Sequence, residues 1–115
     1  MSSFGARSVI SIPDGMQERF KNLIEEALTI IEKNHEGVTQ YEWYLSEDGR
    51  TCVVRETFAS SEAAIKHIGV TAPYLSRLLD FATYQLDVYG EISDELREVV
   101  GAMKPTYYKT WRIVS

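Results

Sequence analysis

The chain has 115 residues, of which 44% are hydrophobic, 25% charged and 11% aromatic, the composition of a globular domain rather than a disordered chain. Its net charge of −5 is spread without a basic run, which argues against nucleic acid, and no stretch reaches the roughly 18 apolar residues of a membrane span. Cys52 is the single cysteine and the run Met1 to Arg7 has no apolar export core, so the expectation is one domain over 1–115, in the cytoplasm, without a disulfide.

In chain order, Arg7 to Ile12 alternates as a first strand, stopped by Pro13-Asp14-Gly15. Met16, Phe20, Leu23, Ile24, Ala27, Ile30 and Ile31 then repeat at helical spacing, with Asp14 as the expected N-cap and Gly37 at the exit. Thr39 to Phe58 reads as a hairpin closed at Asp48-Gly49 by a type I′ turn. Pairing Glu47 with Arg50 fixes the register. One face then carries Leu45 opposite Cys52, Trp43 opposite Val54, Tyr41 opposite Glu56 and Thr39 opposite Phe58. The other carries Tyr44 opposite Val53, an ion pair of Glu42 with Arg55, and Gln40 opposite Thr57.

Ser60 or Ser61 caps a second helix that Gly69 is expected to interrupt and Thr71-Ala72-Pro73 to restart, with Tyr74, Leu75, Leu78, Leu79 and Phe81 on its buried stripe. Tyr84 to Tyr89 alternates as a strand that Gly90 ends. Ser93 caps a short helix, and Tyr107 to Val114 is β-branched and aromatic enough for a last strand. The order β-α-β-β-α-β over about 7–90 is the ferredoxin-like α+β arrangement: an antiparallel four-stranded sheet with both long helices on one side, followed by a C-terminal helix and strand over 93–115. The outer sheet face, with Gln40, Glu42, Tyr44, Val53, Arg55 and Tyr89, is too apolar for bare solvent and suits a two-fold dimer, with the C-terminal strand contributing across the interface.

The runs Tyr41 to Gly49, Cys52 to Phe58 and Ser61 to Ile68, the last including His67, resemble the antibiotic biosynthesis monooxygenase-like domain family. The resemblance covers residues 8–90 in element order, and the last 25 residues are less typical. It implies a dimeric α+β barrel with a substrate cavity between sheet and helices. It also implies a cofactor-independent monooxygenase acting on a quinol or phenolic small molecule with O₂ and no metal or flavin. The alternative is a dimeric domain that binds a small molecule without chemistry. The haem-degrading branch of the resemblance fits badly, since the first strand offers Ser8 and Ser11 where that branch asks for an asparagine.

Glu56 on the greasy face must be paired, hydrogen-bonded or protonated. Tyr41 is its cross-strand neighbour and His67 approaches from the helix, and such a cluster can take a proton from a phenol. The plainer reading is that Glu56 only fixes the sheet and that His67 is a core residue. Trp43, Tyr74 and Phe81 are candidate aromatic walls, with Tyr84 nearby, and Arg77 is a candidate for steering an oxygenated substrate. Cys52 is read as an inert core thiol. His35 and His67 have no partners at metal-ligand spacing, so no metal is expected.

Overall fold

The computed structural model describes residues 3–115; Met1 and Ser2, part of the N-terminal run read above, lie outside the described residues. Strand β1 (Phe4–Ser11) alternates buried and half-buried positions, with Phe4, Ala6, Ser8 and Ile10 turned inward. Helix α1 (Gln17–Ile31) follows and buries Phe20, Leu23, Ala27 and Ile31. Its N-cap is Met16, without a side-chain bond, and not Asp14. The Asp14 carboxylate is instead 2.8 Å from Arg50 Nε, an exposed pair that outcompetes the cap.

β2 (Val38–Leu45) and β3 (Thr51–Phe58) form the hairpin in the expected register: Leu45 opposes Cys52, Trp43 Val54, Tyr41 Glu56, Tyr44 Val53, Glu42 Arg55 and Gln40 Thr57. Two details differ. The turn is wider than type I′: Gly49 has φ 72° but Asp48 is not in the left-handed region, and Gly49 N–H bonds Ser46 O at 2.9 Å. A bulge at Thr39 makes Val38, not Thr39, the partner of Phe58. Glu42 and Arg55 sit opposite each other without an ion pair. Glu42 Oε1 accepts from Gln40 Nε2 and from the Tyr44 hydroxyl, each at 3.0 Å, which satisfies it within its own strand.

α2 (Ser61–Leu78) is one helix rather than two. Ser60 Oγ caps it by accepting from Ala63 N–H at 3.1 Å, and Pro73 lies inside it. Packing carries the helix through Gly69 and Pro73 because Ala64, His67 and Leu78 on either side bury against the sheet. β4 (Thr83–Tyr89) pairs antiparallel with β1, α3 (Asp94–Val100) is capped by Ser93 Oγ at 3.1 Å from Leu96 N–H, and β5 covers only Thr106–Tyr108. β5 runs parallel to β4 in the same sheet, so the order is β2-β3-β1-β4-β5: the four-stranded ferredoxin-like unit with a fifth strand on its edge. The C-terminal strand therefore finds its own β4 rather than needing another edge. Beyond it Trp111, Ile113 and Val114 are exposed.

α1 and α2 cover one face of the sheet. Ile10, Cys52 and Val54 meet Phe20, Leu23 and Leu78 at one end, and Phe4, Phe58, Leu86 and Val88 meet Ala64, Leu96 and Val100 at the other. Among the described residues, no helix is long and apolar enough to cross a membrane.

Candidate active site

Strand alternation places Ala6 and Ser8 of β1, Trp43 and Tyr41 of β2, Glu56 of β3 and Tyr84 of β4 on the inner face. Opposite them, Ala64, His67, Thr71, Tyr74 and Leu78 recur every three or four residues along α2 and form the stripe that faces the sheet. Between the two layers lies a largely apolar cavity of about 130 Å³. Its width at the centre follows from Ala6, the neighbour of Glu56 on β1, which has almost no side chain to fill the space.

Glu56 and His67 meet at this centre. His67 Nε2 lies 3.0 Å from Glu56 Oε2, with only 6% of the imidazole and 12% of the carboxylate side chain exposed. A proton on Nε2 faces the carboxylate, so in the neutral ring the lone pair is on Nδ1. Nδ1 is buried and has no hydrogen-bond partner. The ring is held between Tyr41, edge-on with centroids 5.2 Å apart, and Phe58 at 5.5 Å. Glu56 thus takes His67 as its partner, while Tyr41 packs against the imidazole. A second orphan is the Trp43 indole N–H, close enough to the Tyr41 oxygen to favour its phenolate but without a hydrogen bond to it.

Burial pushes the Tyr41 phenol well above its ordinary range, and the Glu56 carboxylate adds to the effect. Tyr84 is pushed up to about 12, chiefly by burial, and the Cys52 thiol to about 11 by the same cause. Cys52 is therefore a protonated core thiol, not a nucleophile. These groups predict a weakness in alkali. The unfolded chain gives up these protons near 9.0 for the thiol and 10.0 for the phenols, while the folded chain holds them longer. Stability is then complete below about pH 9 and lost as pH rises through the folded values, Tyr84 alone removing up to about 3 kcal/mol by pH 12. Urea midpoints at pH 8, 10 and 11 should fall steeply, and less steeply in Tyr84→Phe; a flat series contradicts the burial of these groups.

Arg77 and Phe81 lie outside the cavity. Arg77 is one position off the buried stripe of α2, on the flank that faces α1, where it pairs with Glu26. Phe81 follows the end of α2 in a turn, with the Arg19 guanidinium 4.4 Å from its ring centroid. Both line a separate surface cleft with Asn22 and Asp80. Tyr74, two turns beyond His67, does line the cavity, as do Tyr41 and Trp43. Sequence reasoning missed Ser8, whose Oγ is 2.7 Å from the Tyr84 hydroxyl on the cavity wall. The signal available was a serine at an inward position of an otherwise apolar strand. Among the described residues no group of three His, Cys, Asp or Glu side chains could hold a metal ion.

No protein-family model matches the chain, and no curated protein matches its sequence. Solved structures do match. MupZ from Pseudomonas fluorescens aligns with a TM-score of 0.84 at 22% identity, over 100% of this chain and 95% of that one. A protein of Bacteroides thetaiotaomicron, provisionally described as an antibiotic biosynthesis monooxygenase, gives 0.66 at 18% identity over 74% of this chain and 85% of its own. The fold is that of the antibiotic biosynthesis monooxygenases. SnoaB from Streptomyces nogalater, a cofactor-independent oxygenase, shares this monooxygenase fold with a TM-score of 0.65 at 9% identity over 81% of this chain and 96% of its own. At these identities the likeness is one of architecture, so a role for any residue of the cavity rests on the geometry given above.

Proposed function

We propose that this chain is a cofactor-independent monooxygenase acting on a quinol or phenolic small molecule. The observation that carries the reading is the buried Glu56–His67 pair, 3.0 Å apart on a residue stripe that lines an apolar cavity, with His67 Nδ1 left without a hydrogen-bond partner. That is the arrangement of an oriented general base. The shared fold with SnoaB supports the same reaction class.

In this reading the substrate hydroxyl gives its proton to His67 Nδ1, and the Glu56 carboxylate stabilises the imidazolium that results. The phenolate, in a site with little water, transfers one electron to O₂, and the radical pair combines at a ring carbon bearing hydrogen. The imidazolium proton passes to the peroxide so formed, His67 Nδ1 then takes the proton of that ring carbon as the O–O bond breaks, and the departing hydroxide takes that proton from the imidazolium to leave as water. One atom of O₂ ends in the quinone carbonyl and the other in water, so the four electrons taken from the phenol balance the reduction of O₂. Trp43, Tyr41 and Tyr74 supply flat walls for the ring.

The test is O₂ uptake by metal-stripped protein over a panel of phenols and hydroquinones, with ¹⁸O₂ to follow the label. Turnover above autoxidation with one labelled atom in the product is expected. Rates equal to autoxidation across the panel would overturn the reading. We propose further that the protein is a homodimer through the outer sheet face, where Tyr44 is 50% and Tyr89 40% exposed.

A further inference from the structure

Ser8 and Tyr84 form a polar pair inside an apolar wall. Ser8 is 3% exposed and lies between Val54 of β3 and Leu86 of β4, with no polar side chain as a cross-strand neighbour. Tyr84 pairs in register with Ile10, two positions along β1, and its ring spans the diagonal to bring the hydroxyl to Ser8 Oγ at 2.7 Å. Both side chains line the cavity.

The proton count of this pair is informative. Two hydroxyls carry two protons, and the bond between them uses one, whichever oxygen donates. Neither oxygen makes another hydrogen bond among the described residues. One O–H is therefore left over at the cavity wall, and a buried donor without an acceptor is costly enough that folded proteins rarely keep one without purpose. Tyr84 stays protonated, being pushed up to about 12 by burial, so the leftover proton is present throughout the neutral range. No lysine or arginine lines the cavity beside the pair, and the Glu56 carboxylate is near enough to raise Tyr84 further, so the local field disfavours an anion.

We infer that the Ser8–Tyr84 hydroxyl pair is a binding site for a neutral carbonyl oxygen of the substrate, which holds the ring with its ionisable hydroxyl against His67. The cavity thus offers one acceptor, His67 Nδ1, and a donor on another wall, and it selects a phenol that also bears a neutral acceptor oxygen. This rests on the cavity being the ligand site proposed above. Ser8 and Tyr84 are positioning residues and take no part in the proton transfer.

The test compares 4-hydroxyacetophenone with 4-isopropylphenol, in which a methyl group stands where the carbonyl oxygen does. Dissociation constants are measured by calorimetry for wild type and for the double variant Ser8→Ala, Tyr84→Phe. Either single variant keeps one hydroxyl with its proton free, so the double is the decisive protein. The ratio of the two constants should shift by about fivefold or more against the ketone in the double variant, while 4-isopropylphenol binds within twofold of wild type. A ratio unchanged within twofold overturns the assignment and passes the donor role to the Trp43 N–H, while the cavity remains the ligand site. Wild-type protein that binds neither phenol overturns both. A second measurement needs no variant: the infrared carbonyl band of ¹³C-labelled ketone on wild-type protein should lie at the lower frequency of a hydrogen-bonded carbonyl. A band at its position in dry hexane overturns the proposal.

Discussion

Replacing Glu56 by Leu and His67 by Phe together should give a protein at least as stable as wild type that has lost its catalysis. The single changes should behave differently. His67→Phe strands a carboxylate that is only 12% exposed, a loss of roughly 3 kcal/mol, since an unpaired buried charge costs more than the pair contributes. Glu56→Leu takes the partner from Nε2 of a histidine that is 6% exposed and whose Nδ1 already has none, at roughly 1–3 kcal/mol. The double change replaces the pair with apolar groups of similar volume next to a cavity that can absorb the difference, so the losses should cancel rather than add. Urea denaturation of the four proteins reads the coupling directly. Single variants as stable as wild type would contradict the burial of the pair, and a double variant as weak as the sum of the singles would show that the pair is held for stability. Turnover should fall by about 10²–10⁴-fold in His67→Phe and stay low in the double, because the proton acceptor is gone.

The second large effect concerns assembly. Val9 and Val53 oppose each other at the middle of the outer face, with Tyr44 beside Val53. Polar chains flank them: Thr57–Gln40–Glu42–Tyr44 on one side, and Arg7–Asp87 with Gln85 on the other. An apolar centre with a satisfied polar surround is the anatomy of a protein interface. Tyr44→Asp with Val53→Asp places four carboxylates in the dry centre of a two-fold pairing, so the dimer constant should weaken at least about a thousandfold. Sedimentation at micromolar concentration should show wild type as a dimer and the variant as a monomer, with a lower melting temperature once partner burial is gone. A wild-type monomer would refute the dimer, whatever the assays of turnover show.

The hairpin was the most legible part of the chain because its information is local. Asp48-Gly49 and strict alternation suffice to place Glu56 beside Tyr41 and Trp43 beside Val54, and both pairs are present. Helix continuity through Gly69 and Pro73 was not legible, since a proline halts an isolated helix while burial on either side of it can carry one through. The last strand was read too long: residues 107–114 have β-propensity throughout, but β4 ends at Tyr89 and offers no further backbone to pair with. One strand face and one helix turn sufficed to bring Glu56 and His67 together beside the cavity. Arg77 was misplaced because a single step along a helix turns a side chain by about 100°. Ser8 and Tyr84 lie far apart in sequence and meet only through the β1–β4 register, which no short-range signal encodes.

The Thr39 bulge has a consequence for how the chain could have arisen and how it can be altered. Val38 packs into the core beside Phe58, and Tyr41 and Trp43 face the cavity. Val38 and Tyr41 are an odd number of residues apart, so an unbroken strand would turn them to opposite sides of the sheet. The bulge is a parity change: it lets one strand seal the core at one end and furnish the cavity along the rest. Deleting residue 39 would leave Val38 and Tyr41 two positions apart, on the same side of a regular strand, so the ladder should close with the same partners and without the bulge. Insertions in the loop after Leu45 leave the parity of both strands untouched. Variation in length is thus free at the hairpin tip, whereas a single residue gained within either strand has to be taken up by a bulge, as it is at Thr39.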